Sequence, residues 1–174
     1  MPVWGGVVLV LGNTLILIGQ LVRVVASRFR NDRRLLQGMM VSSAIAAVGF
    51  WCMGTPLTAL TSVLSGLGIW LASTRWKGVW AMAAVTSISL GLFVASDPIL
   101  AEWMGFTSVA VFLLAAHTLE GRAMRLVTAG SYPLWLICCV GVGNWVGLGF
   151  GLITMVSLTQ VALAPPAVGL NAEG

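Results

Sequence analysis

Charge is what this sequence has least of. Nine Lys or Arg and five Asp or Glu are its only formally charged side chains, 8% of 174 residues, against roughly 25% in an ordinary soluble domain. So few charges cannot cover a soluble fold of this size, and a chain that is 59% hydrophobic is not a disordered one. An integral membrane protein remains. Histidine is almost missing as well. His117 stands alone, with no Cys, Asp or Glu beside it in an apolar run, which excludes a metal set and a bis-histidine haem within one chain. Carboxylates are absent from every apolar run, since Asp32, Asp97, Glu102, Glu120 and Glu173 fall in loops, helix ends or the tail. That argues against a proton relay and leaves no catalytic set, so neither enzyme activity nor a cofactor or metal is expected. The three cysteines are too few for a disulfide framework; Cys138 and Cys139 are adjacent and Cys52 lies in another run, so all three are expected as small buried hydrophobes. The net charge of +4 and pI near 9.6 do not indicate nucleic acid, because the basic residues form three short clusters between apolar runs.

What is present is long uncharged sequence. The uncharged stretches cover residues 1–22, 35–74, 78–96, 103–119 and 126–172, with lengths of 22, 40, 19, 17 and 47. A bilayer core takes about 20 apolar residues per helix. The 40-residue stretch breaks at Gly54-Thr55-Pro56 and the 47-residue stretch around Gly141–Asn144, so each holds two helices. The spacing predicts an all-α membrane protein with seven transmembrane helices, at 3–26, 36–53, 57–74, 79–96, 100–118, 124–142 and 145–163, in a single membrane domain over 1–164 with a short tail at 165–174. Continuously apolar runs exclude a transmembrane β-barrel, whose strands alternate. The first run lacks a positive leader segment and is read as a retained helix.

Every basic residue falls on one side of this layout. Arg28, Arg30, Arg33 and Arg34 occupy the first loop, with Arg23 just inside the preceding helix end; Arg75 and Lys77 occupy the third; Arg122 and Arg125 occupy the fifth. The positive-inside rule makes that side cytoplasmic, with the N-terminus outside and the C-terminus inside. Contact with anionic headgroups is the second role expected of these arginines, with partner docking as the alternative for the first loop. Trp4, Trp51, Trp103 and Trp145 fall near the outer helix ends and Trp70, Trp76 and Trp80 near the inner ones, as interfacial belts do. Trp135 falls mid-span, either as core packing or as the wall of a polar cavity.

A shift of 89 residues superposes Gly54 on Gly143, Arg33 on Arg122, Ser42 on Ser131, and Thr58 and Ser62 on Gly147 and Gly151. The pattern of basic loop, helix, glycine turn and small-residue helix recurs. It predicts two parallel three-helix repeats, residues 3–74 and 100–163, joined by a linker helix at 79–96 (3+1+3) and related by an axis along the membrane normal. Helix-packing ridges are expected at Gly143, Gly147 and Gly151, at Thr58, Ser62 and Gly66, and at Ala83, Ser87, Gly91 and Ala95.

Phe29-Arg30-Asn31-Asp32-Arg33-Arg34, followed by an apolar helix ending in Gly54, resembles the YgjV-type bacterial inner-membrane proteins. Glu120-Gly121-Arg122-Ala123-Met124-Arg125, leading into a helix with Trp135 and Cys138-Cys139, resembles the same family. The likeness covers roughly residues 5–163 and implies a bacterial inner-membrane location. More distantly, the layout is similar to the SWEET and PQ-loop transporters, which implies small-solute carriage by alternating access. The sequence has no Pro-Gln dipeptide, Pro133 is the one proline within a span, and the paired asparagines of that superfamily are replaced by Ser65 and Thr154.

The polar residues within spans are mild: Asn13, Gln20, Ser42, Ser43, Ser65, Thr154, Ser157 and Gln160. Asn13 and Gln20 share a helix face, as interhelical glue or as the lining of a path. Two functions follow. The first is a carrier of a small neutral or zwitterionic solute by facilitated diffusion, with Asn13, Ser65, Trp135 and Thr154 lining a midplane site. The second is a non-transporting accessory subunit that packs against copies of itself or a membrane partner. His117 is expected as an interfacial side chain bonded to a loop carbonyl, with a gating or substrate contact as the alternative.

Overall fold

The computed structural model describes residues 3–74 and 78–165, without the side chains of 3–5 and 57. Seven helices run through the described residues: α1 (Val3–Ser27), α2 (Asp32–Cys52), α3 (Pro56–Ser73), α4 (Val79–Val94), α5 (Leu100–Thr118), α6 (Gly121–Gly141) and α7 (Trp145–Leu163). Five of them, α1, α2, α5, α6 and α7, are long and apolar enough to cross a membrane; α3 and α4 are shorter apolar helices. At 16 residues, α4 rises about 24 Å, less than a hydrocarbon core of about 30 Å. The side chains of Trp4 and Glu173, and Arg75, Trp76 and Lys77 as a whole, lie outside the described residues.

The helix ends follow from local chemistry. Asn31 Oδ1 accepts from Arg34 N at 3.1 Å and caps α2, so the helix starts at Asp32, ahead of the expected 36. Pro56 opens α3, where its missing N–H costs nothing. Glu102 Oε2 accepts from Ile99 N at 2.8 Å at the head of α5. Asn144 Oδ1 accepts from Gly147 N at 2.8 Å at the head of α7. The turns before α3 and α7 each pass through a glycine in the left-handed region, Gly54 at φ 75° and Gly143 at φ 71°, a conformation that costs other residues steric energy.

These starts correct the expected positions of four arginines. Arg33 and Arg34 lie in the first turn of α2, and Arg122 and Arg125 lie on α6, rather than in loops. The Asn31 cap carries α2 outward past its apolar run, Asp32 holds the Gly121 N–H at the start of α6, and arginine is a good helix former.

Neighbouring helices form a closed circuit. α1 packs on α2 and α7, α2 on α3, α3 on α5, α5 on α6, and α6 on α7; α4 leans on α3 and α5 from outside. The core comprises Ala26, Leu35, Leu36, Met39, Ile69, Ala72, Leu113, Ala115, Ala116, Met124, Ala129, Tyr132 and Leu158. Nearly all of these belong to the half of each helix nearest the arginine-bearing turns, termed here the basic face. At the opposite face the side chains are open: Val7 to Leu11, Trp51, Leu100, Val142 and Trp145 are exposed. Trp80 is also exposed, and Trp103 packs edge-to-face on Phe93 and Phe106 at centroid distances of 5.0 and 6.3 Å.

The packing ridges differ from expectation. Gly143 sits in a turn and not on α7, the atoms nearest the buried Gly147 are those of its own cap Asn144, and Gly151 meets Trp135 and Leu136 of α6. Thr58 is exposed, Ser62 donates within its own helix to Thr58 O at 2.8 Å, and Gly66 lies near Ser43. On α4, Ser87, Gly91 and Ala95 are exposed. The close crossings lie elsewhere, at Gly12 with Gly49, Gly19 with the Ser42 carbonyl, Gly38 with Ala26, Gly105 with Cys138 and Gly141 with Ala101. Small residues four apart permit close approach but do not choose the partner; the helix order does.

Candidate functional site

Two polar assemblies occupy the interior. The first lies at mid-height. Ser42 is the central residue of α2 and Thr154 that of α7, and Tyr132 lies within a residue of the centre of α6. All three are buried. Arg23 approaches from α1, a turn before that helix ends. Side chains on a helix lean toward its N-terminus, so Arg23 extends toward mid-height rather than toward the basic face. Its Nε donates to Ser42 Oγ at 3.2 Å. Tyr132 and Thr154 are neighbours across α6 and α7, and Arg23 is close enough to Tyr132 and Cys139 to act on both electrostatically. Thr154 Oγ1 also donates to Phe150 O at 2.8 Å. Beside this group, Ser108 Oγ donates to Ser131 O at 2.8 Å, joining α5 to α6.

The second assembly ties the basic face. Arg125 on α6 is 3% exposed, and its Nη2 donates to Asp32 Oδ1 at 2.7 Å and to Arg30 O at 2.9 Å. Asp32 Oδ2 accepts from Gly121 N at 2.5 Å. Arg125 Nη1 is buried without a hydrogen-bond partner. Arg122 Nε donates to Ala162 O at 2.6 Å, which places a cation at the carbonyl end of α7. His117 is buried, with Nδ1 accepting from Gly78 N at 3.2 Å and Nε2 facing Gly68 O at 3.0 Å. That pairing fixes the neutral tautomer with the proton on Nε2. It pins α5 to α3 and to the head of α4. A cavity of about 390 Å³ opens beside Asp32, lined by Asp32, Arg33, Leu36, Thr74, Glu120 and Met124 among others.

The four side chains expected to line a midplane site do not share one wall. Thr154 is buried, and Trp135, half-buried, packs against the same helix at Gly151. Ser65 is half-buried on α3 and donates to Thr61 O at 2.9 Å. Asn13 is exposed and donates back to Leu9 O at 3.0 Å. Its neighbour Gly12 is the residue that meets α2, and one residue on is a turn of about 100°, which aims Asn13 outward. Neither the 390 Å³ cavity nor an apolar groove of about 560 Å³ between α2 and α3, at Ala47, Trp51, Ala59 and Leu60, includes any of the four.

Of the arginines expected at headgroups, Arg28, Arg30, Arg33, Arg34 and Arg122 are exposed. Arg125 is not available to lipid, and Arg122 serves as a helix cap. The sequence hid Arg23 and Arg125 because a cation near a helix end reads as a topology signal. The signal that could have found Arg23 is its place one turn after Gly19 and one turn inside the helix end. The thiols of Cys138 and Cys139 are buried and free, and Cys52 is half-buried and free. No group of His, Cys, Asp and Glu among the described residues could hold a metal.

A helical protein with five helices fit to cross a bilayer and a polar layer held between them is a multi-pass membrane protein. The chain matches the Imp-YgjV family, described as a bacterial inner membrane protein, over residues 10–162. It belongs to that family, and its place is the bacterial inner membrane. No curated protein and no solved structure matches it.

Proposed function

We propose that the protein is a small-solute carrier of SWEET and PQ-loop-like architecture, built as two parallel three-helix repeats with α4 as linker. It moves a neutral or zwitterionic solute by facilitated diffusion and performs no catalysis. One observation carries the repeat. Asp32 and Gly121 are separated by 89 residues and hydrogen-bonded to each other. Positions equivalent in two parallel repeats meet only at the axis that relates them.

The same shift carries the bounds of α2 onto those of α6. It carries Gly54 onto Gly143, both left-handed. It carries the contact of Gly49 with Ile16 onto that of Cys138 with Gly105, and that of Gly12 with Cys52 onto that of Ala101 with Gly141. The small residue changes sides of the crossing and the crossing persists. Gly19 lies against the Ser42 carbonyl where Ser108 donates to the Ser131 carbonyl. All these support a two-fold along the membrane normal, with the mid-height layer between the halves.

In this reading all seven helices span, the basic face is cytoplasmic, and the N-terminus is outside. The lock at Asp32 and Arg125 closes the cytoplasmic mouth. Uptake into proteoliposomes across a panel of sugars, polyols and amino acids tests it, comparing wild type with Trp135→Ala. Flux of at least one solute, reduced by the substitution, is expected. No flux for any solute, together with a stably co-purifying membrane partner, would replace the carrier by an accessory subunit.

A further inference from the structure

We propose that Arg23, with the hydroxyls around it, holds the carboxylate of a small zwitterionic or monoanionic solute at mid-height in the bundle. The inference rests on the carrier reading, and the experiment below separates the two.

An arginine that reaches the middle of a bilayer faces the bundle interior or a water-filled space, and it pairs with an acid or with backbone carbonyls. Arg23 has neither among the described residues. Its one hydrogen bond is from Nε to a serine hydroxyl. The chain's own acids are engaged or distant. Asp32 is held by Arg125 and Gly121; Glu102 holds the head of α5; Asp97 is exposed in the turn between α4 and α5; Glu120 precedes α6 at the basic face.

The terminal nitrogens of Arg23 are not among the fully buried atoms that lack a partner, and no described group bonds them, so their donors are open to an acceptor. A guanidinium fork matches a carboxylate with two parallel N–H···O bonds. Tyr132, on which Arg23 acts electrostatically, and its neighbour Thr154 come from α6 and α7, whereas Arg23 and Ser42, which share a hydrogen bond, come from α1 and α2. The four groups therefore belong to both halves of the bundle. A ligand that bridges them would favour one relation of the halves over another, which is what a carrier site does. A neutral sugar leaves the cation without a counter-charge, whereas a carboxylate supplies it.

The test uses the full-length purified protein in detergent and in proteoliposomes. The thermal midpoint is measured against acetate and alanine, and against acetamide and alaninamide as isosteric controls without the carboxylate. Chloride and phosphate separate a carboxylate solute from a general anion. Saturable stabilisation by acetate or alanine and none by the amides or inorganic ions is expected. Arg23→Gln should weaken it by about 10- to 100-fold, as loss of a charge-assisted hydrogen bond does. Arg23→Lys should retain part. If Arg23→Gln does not fold, Tyr132→Phe, which keeps the ring, should still weaken the response.

Stabilisation equal with chloride or with the amides, or unchanged in Arg23→Gln, would overturn the proposal. So would the absence of any stabilisation. Flux of neutral solutes indifferent to Arg23→Gln would remove the site and leave the carrier. Arg23-dependent binding without flux would remove the carrier and leave the site.

Discussion

Asp32 and Arg125 are a pair of unequal members. Arg125 is 3% exposed and Asp32 28%, so the cost of losing one partner depends on which remains. Asp32→Asn leaves a guanidinium buried without a counter-charge, a situation that costs about 3–5 kcal/mol. Arg125→Met leaves a carboxylate that still accepts from Gly121 N and still reaches solvent. We expect the thermal midpoint in detergent to fall further for Asp32→Asn than for Arg125→Met, and the double variant to recover part of the loss. Equal losses would show that the pair is not the hold on the basic face. His117 obeys the same logic without charge. His117→Leu strands the Gly78 N–H and removes the second bond of the Gly68 carbonyl, at about 1–3 kcal/mol, and differential hydrogen exchange should show α4 loosening first.

At the scale of the helix pair, a tight crossing and an unpartnered glycine are tests of each other. A Cβ at Gly141 would overlap that of Ala101. Gly141→Ala should therefore lower stability by about 1–3 kcal/mol, as overpacking does, and Ala101→Gly should restore it. Gly91 on α4 meets nothing within 4 Å. There Gly91→Ala should leave the midpoint unchanged or raise it, by up to about 1 kcal/mol, through helix propensity. If both glycines respond alike, the crossings do not set the bundle.

The helices themselves were legible because lipid demands unbroken apolar runs and the glycine and proline turns interrupt them. The ends of α5 and α7 come out where expected, whereas α2 and α6 begin earlier, because a side-chain cap extends α2 and the chain up to Gly121 docks on Asp32. The polar layer was only partly legible. Thr154 and Ser42 stand out as hydroxyls in apolar runs. Arg23 does not, since its direction comes from helix geometry and not from its spacing. Asn13 stands out yet faces outward, because the glycine before it takes the contact.

The whole molecule is packed at its basic face and open at the other. The orientation proposed for these two faces in the membrane can be measured. A fluorescent protein fused after residue 165 should glow in cells, and one inserted at the turn near Asp97 should stay dark while alkaline phosphatase there is active. The reverse pattern would invert the orientation and place the lock outside.

The lock also sets an order of events during synthesis. Asp32 and Arg125 are 93 residues apart. At ribosomal rates of about 5–20 residues per second, roughly 5–20 seconds separate their emergence. Through that interval the first helices sit in the bilayer with Asp32 lacking the arginine and the amide that will hold it. A chain stalled before α6 is therefore marked as unfinished by an acid without its partners. Release from insertion factors, and escape from membrane proteases, should follow the arrival of Arg125 rather than the completion of any single helix.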